Sequence, residues 1–211
     1  MAYVISDMQG SYDKNVTKNF VIKDGVVEKI FDDEDSIIIP DGIREIGDYA
    51  AYECSKIKMV MIPDSVKKIG DYAFCGCRNL EFITIPDSVE SIGAGIIFGT
   101  ALYNDPQKWD RDVLYVDNHI IDARNTISGD YEIKKGTLTI AESAFMGCTQ
   151  LTGVVIPDGV KRIEAFTFHG CSSLRSVTLP DSIEYISDFA FSGCKALDPK
   201  PSVKKEGYYK S

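Results

Sequence analysis

One spacing governs this chain. Ile39, Ile62, Ile85, Ile133, Ile156 and Leu179 recur at steps of 23, 23, 48, 23 and 23 residues, where 48 is two periods plus two. A fixed period in the twenties marks a solenoid, in which each repeat is one coil that cannot bury its apolar face alone. Places within a coil are counted here from these leading residues. The seventh is Ile46, Ile69, Ile92, Ile140, Ile163 or Ile186. The twelfth is Ala51, Phe74, Ile97, Phe145, Phe168 or Phe191, and the eighteenth is Ile57, Leu80, Tyr103, Leu151, Leu174 or Leu197. Apolar residues at the same place in every coil must point the same way, into a shared core.

The local chemistry of a coil follows. In "LRSVTLP" the residues alternate, with Leu174, Val177 and Leu179 pointing inward, so a short strand is predicted before each turn. Pro180-Asp181-Ser182 turns the chain, because proline fixes φ and Asp or Ser bonds nearby backbone. A second extended piece, "SIEYI", follows, and "SDFAFSGC" bends back with Gly193 supplying a left-handed residue.

The phrase L-x-x-V-x-I-P-[DK]-[SG]-V-x-x-I-G-x-x-A-F-x-G-C-x-x-L resembles the BspA-like, or Treponema pallidum-type, leucine-rich repeat family over residues 36 to 197. The resemblance implies a right-handed leucine-rich-repeat solenoid without catalysis, β-rich, with short parallel strands and irregular bends. About six 23-residue coils and one divergent coil are expected. It further implies adhesion or protein binding at a cell surface. The opening stretch "MAYVISDMQGSYDKN" has no basic segment followed by an apolar run, so no signal peptide is expected and a place inside the cell is the alternative.

Cys54, Cys77, Cys148, Cys171 and Cys194 occupy the fifteenth place, with Thr100 filling it in the third coil and Cys75 the sole extra cysteine. The repeat therefore accounts for the C-G-C at 75–77. Zinc sites use close pairs or Cys with His at set spacings, which this column lacks, so free, packed thiols and no metal are expected. Gly93, Gly95 and Gly99 have the wrong spacing for a dinucleotide loop, and no cofactor is predicted. His169 falls in a bend and reads as an exposed turn residue, and His119 follows a hairpin turn at Asp117-Asn118. Lys67-Lys68 and Lys161-Arg162 read as a solvated stripe. A net charge of −9 argues against nucleic acid and anionic membrane surfaces, and no apolar run is long enough for membrane insertion.

Three regions are expected. Residues 1–35 form an N-terminal cap with a hairpin at Asp24-Gly25, 36–197 the solenoid with a divergent island at 103–130, and 198–211 a tail whose Pro199 and Pro201 discourage further pairing. In the first strand of the early coils, the outward places hold Ile38, Met59, Met61 and Phe82, whereas later coils have Asp130, Glu132, Gly153, Val155, Ser176 and Thr178. This apolar strip is the candidate partner-binding surface for a protein ligand, with self-dimerisation or assembly as the alternative and Trp109 in the island next in line. Residues 1–19, with no other role assigned, are the segment available to cover it.

Overall fold

The computed structural model describes residues 14–16 and 18–202. The chain starts with an antiparallel meander of β1 (Lys14–Val16), β2 (Phe20–Lys23) and β3 (Val26–Ile30). Asp24 and Gly25 both have positive φ at the turn between β2 and β3, which matches the right-handed twist of a hairpin. Three coils follow. Each contributes a first strand and a two-residue second strand: β4 (Ser36–Ile38) and β5 (Glu45–Ile46), β6 (Met59–Met61) and β7 (Lys68–Ile69), β8 (Phe82–Thr84) and β9 (Ser91–Ile92).

The short helix α1 (Ala101–Asn104) leads into the island, which holds β10 (Trp109–Asp110), β11 (Val113–Val116) and β12 (His119–Ala123). Three more coils supply β13 (Ser128–Glu132) and β14 (Thr139–Ile140), β15 (Gln150–Val155) and β16 (Arg162–Ile163), β17 (Ser176–Thr178) and β18 (Tyr185–Ile186). First strands pair with first strands in parallel, one period apart: Ile37 with Val60 and Val60 with Ile83, Val154 with Val177. The second strands do the same, as in Ile46 with Ile69 and Ile69 with Ile92.

The inward places form one core. Ile39, Ile46, Ile57, Ile69, Phe74, Leu80, Phe145 and Phe168 are essentially inaccessible. Phe145, Phe168 and Phe191 stack in a column with ring centroids 5.1 and 5.3 Å apart. In the last coil Val177, Leu179 and Ile186 are only half-buried, because no further coil among the described residues covers them. All six cysteines are free. The ladder thiols do more than fill space: Cys77 donates to Ala51 O at 3.0 Å, Cys171 to Phe145 O at 3.1 Å and Cys194 to Phe168 O at 3.0 Å, each reaching back into the preceding coil. Burial pushes the Cys54 thiol up to about 11 and Cys77 up to about 12, so both remain protonated donors at neutral pH. Thr100, in the third coil, instead donates to Ile97 O within its own coil and accepts from the Tyr103 amide, capping α1.

The island repeats the N-terminal cap. β3 pairs in parallel with β5, and β12 pairs in parallel with β14 in the same way. The Ile30 amide donates to Ala50 O at 2.6 Å and the Ala123 amide to Ala144 O at 2.7 Å, at matching points of the two coils. The described residues therefore form two arrays of three coils, each opened by an antiparallel hairpin. Side chains of the Asp117–His119 turn seal the seam between them, Asn118 donating to Asp87 Oδ1 at 2.8 Å. The Asp117 carboxylate accepts the Ile85 amide at 2.8 Å, replacing the carbonyl that a next first strand would supply. His119 is buried, with Nδ1 2.8 Å from Thr139 Oγ1 and Nε2 3.2 Å from Pro86 O.

Candidate functional site

The outward places of the first array come together as the spacing predicts. Met59 and Phe82 are register partners across β6 and β8, and Ile38 and Met61 across β4 and β6. Adjacent strands in a sheet are about 4.8 Å apart, so the four side chains form one strip. Ile38 is 65% exposed, Phe82 59% and Met61 43%, while Met59 is half-buried. The strand backbone is the cause: Ile37, Val60 and Ile83 occupy the core, and period-two alternation sends their neighbours to solvent. The Lys108 ammonium lies 5.7 Å from the Phe82 ring centroid at one margin. The segment named as a possible cover is only partly described: residues 14–16 pair with β2, away from β4, β6 and β8, and 1–13 and 17 lie outside the described residues.

The polar and ring contacts of Trp109 lie within the island rather than at this strip. Its indole N–H donates to Tyr103 O at 2.8 Å, its ring meets Tyr103 edge to face, and the Arg124 guanidinium lies 4.3 Å from its centroid. The ring is half-buried and serves the island's packing. The basic stripe is paired: Lys68 with Glu45 at 2.8 Å and Lys161 with Glu184 at 3.3 Å across neighbouring coils, and Arg162 with Glu164 at 2.7 Å within its own coil. Such exposed pairs add little stability, but they leave no run of free cations for an anion. His169 is half-buried rather than exposed, edge-on to Phe166 at 5.6 Å.

A second set of exposed apolar side chains went unread in the sequence. The tenth place holds Tyr49, Tyr72, Gly95, Ser143, Phe166 and Phe189, on the return bends. Tyr49 and Tyr72 stack at 5.3 Å, and Phe166 and Phe189 at 5.6 Å. Tyr49, Tyr72, Ser143 and Phe166 all have φ between 53 and 62°. That left-handed conformation turns the Tyr72 amide onto Ala94 O at 2.9 Å in the next coil, at a steric cost for residues other than glycine. The recurrence of aromatic residues at place ten was the available signal.

Among the described residues no three His, Cys, Asp or Glu side chains gather as a metal-binding group, and no helix is long and apolar enough to cross a membrane.

The BspA type leucine rich repeat region matches residues 17–104 and 130–200, in six copies, leaving out most of the island. A leucine rich repeat protein from T. pallidum is 25% identical over 82% of this chain and 83% of its own, with a TM-score of 0.41. The pneumococcal vaccine antigen PcpA is 15% identical, covering 85% of this chain and 37% of its own length, with a TM-score of 0.47. A leucine rich cell surface protein from Faecalibacterium prausnitzii is 19% identical over 94% of this chain and 93% of its own, with a TM-score of 0.30. No curated protein matches the chain.

Proposed function

This chain belongs to the BspA-type leucine-rich repeat family, and from that premise we propose that it is a non-catalytic protein-binding scaffold whose docking face is the strip of Ile38, Met59, Met61 and Phe82. The observation that carries this reading is the exposure of Ile38, Met61 and Phe82 on neighbouring strands, where the second array is mostly polar. Large exposed apolar side chains in one contiguous strip favour an interface, and two methionines suit adaptable contact. The occupant is a protein presenting apolar side chains, and adhesion at a cell surface is the setting that fits the family. A second copy of the chain is the other occupant considered, which would make the protein an assembly module.

The test is the double variant Met61→Glu, Phe82→Lys. Both positions are exposed, so the fold should survive with a stability change within about 0.5 kcal/mol. The folded variant should lose binding to the partner that the wild type captures from surface extracts, while both proteins sediment as monomers. Unchanged capture by a folded variant removes the strip and moves attention to Trp109. Concentration-dependent association of the wild type that the variant abolishes replaces the partner reading with self-assembly.

A further inference from the structure

The return bends hold a cleft of about 320 Å³ where the two arrays meet. Tyr72 and Phe98 wall it from the first array and Met146 from the second, with the Asp122 and Glu142 carboxyls also in its lining. It exists because the aromatic column at place ten is interrupted. Tyr49 and Tyr72 stack on one side, Phe166 and Phe189 on the other, and Gly95 and Ser143 leave the gap. Gly95 is needed for this shape, since a Cβ there would come 2.7 Å from the Tyr72 ring. The Tyr72 ring therefore lies across Gly95 and lines the opening.

The charges of the cleft are one-sided. Its lining has two carboxyls and no Lys, Arg or His. Neighbouring acids are already engaged: Asp71 accepts the Ala94 amide at 2.8 Å, Asp48 accepts the Asp71 amide at 2.8 Å, and Glu164 holds Arg162 at 2.7 Å. Asp122 accepts from the Tyr103 hydroxyl and the Ala123 amide, both at 2.8 Å, which fixes its carboxylate. Glu142 alone has no hydrogen bond or ion pair for its carboxylate among the described residues. Burial and the nearby charges of Asp71, Glu164 and Asp48 hold its pKa above the usual glutamate value. An acid kept in such a place without a cation is complementary to one brought from outside.

We propose that this cleft receives an arginine side chain of a protein partner, with the guanidinium against Tyr72 and Phe98, its stem along Met146 and its charge on Glu142. A planar, weakly hydrated guanidinium suits both aromatic walls and a carboxylate. The chain uses the same contact within itself, placing Arg124 over Trp109 and Arg162 over Tyr185, each at 4.3 Å. The site shares no residue with the apolar strip, so it stands or falls independently of that reading.

The experiment follows the Met146 methyl and Gly95 amide by NMR during titration with a capped pentapeptide carrying one arginine among glycine and serine. Both signals should shift and saturate. The same peptide with citrulline, which is neutral and nearly isosteric, should bind about tenfold more weakly, and Glu142→Gln and Phe98→Ala should each weaken the arginine peptide by about fivefold or more. The Met61→Glu, Phe82→Lys variant should bind it as the wild type does, which separates this site from the strip. Equal affinity for citrulline, or no effect of Glu142→Gln, overturns the proposal. Tetramethylammonium ion matching the peptide's affinity also overturns it, in favour of a small-cation site.

Discussion

The two arrays are built on the same period and opened by the same device, a hairpin whose second strand pairs with the first coil. They differ in where they place their aromatic and apolar side chains. The first array fills the twelfth place with Ala51, Phe74 and Ile97 and puts Ile38, Met61 and Phe82 outside. The second fills it with three stacked phenylalanines and presents Glu132, Val155 and Thr178 at outward places. A coil's chassis is thus independent of its outward residues: inward places are constrained by neighbouring coils, while outward ones vary at little cost to the core. The second array thus holds the denser aromatic core and the first the more apolar first-strand surface.

Substitution in the two columns should separate the arrays most clearly. Phe168, between Phe145 and Phe191, loses two ring contacts along with its buried area when truncated, so Phe168→Ala should cost about 3–5 kcal/mol in urea unfolding. Phe74 is as fully buried, but its column neighbours are Ala51 and Ile97. Phe74→Ala should therefore cost less, by about 0.5–1.5 kcal/mol, the extra that ring pairs add beyond area. Equal losses would mean that stacking adds nothing beyond burial, and the two arrays would be energetically alike.

The seam between the arrays comes next. His119→Ala removes a buried ring that bonds Thr139 and Pro86 O, one on each side of the interruption, and should cost about 1–3 kcal/mol at pH 8. Burial lowers the His119 pKa below its ordinary 6.5, although Pro86 O, Asp87 and Asp117 pull the other way. The folded state then resists a proton that the unfolded chain accepts. The stabilisation from His119 is complete above pH 6.5 and declines as pH falls from there towards its folded value. The gap between wild type and His119→Ala should narrow over that range. A gap that stays constant from pH 8 to 5 would show that His119 acts by packing alone.

Much of this was legible from one period. Inward residues such as Ile46, Phe74 and Leu80, the register of 23 and the cysteine column all follow from identical places pointing alike, and so did exposure of Ile38, Met61 and Phe82. The seam was not legible, because it rests on substitution of one chemical group for another. The carboxylate of Asp117 replaces a strand carbonyl, and nothing in a repeat pattern marks that exchange. His119 read as a residue after a turn, yet it is buried by coils on both sides. The cleft was hidden for a related reason: Tyr72 and Met146 line it from opposite sides of an interruption that the period cannot measure. Gly95 among Tyr49, Tyr72, Phe166 and Phe189 was the trace it left in the sequence.

The smallest expected effect bears on the place where the arrays meet. The Glu142 pKa is raised by burial and by the charges of Asp71, Glu164 and Asp48, so the folded chain holds its proton more tightly than the unfolded chain does. Below the usual glutamate value of 4.5 the group is protonated in both states and costs nothing. As pH rises above that value the unfolded chain ionises first, and stability falls until the folded group ionises as well. Glu142→Gln removes this loss, so the variant should be more stable than the wild type at pH 7 and indistinguishable from it near pH 4. Because Glu142 is partly open to water, screening limits the gain to below about 1 kcal/mol. Paired thermal melts at the two pH values measure it. A variant that is stabilised at pH 7 but no longer binds the arginine peptide would show that the chain gives up stability to keep an unpaired acid in the cleft. A variant less stable than wild type at pH 7 would mean that Glu142 has a favourable partner in the fold, and the charge contrast between the cleft and the paired acids of the two arrays would disappear.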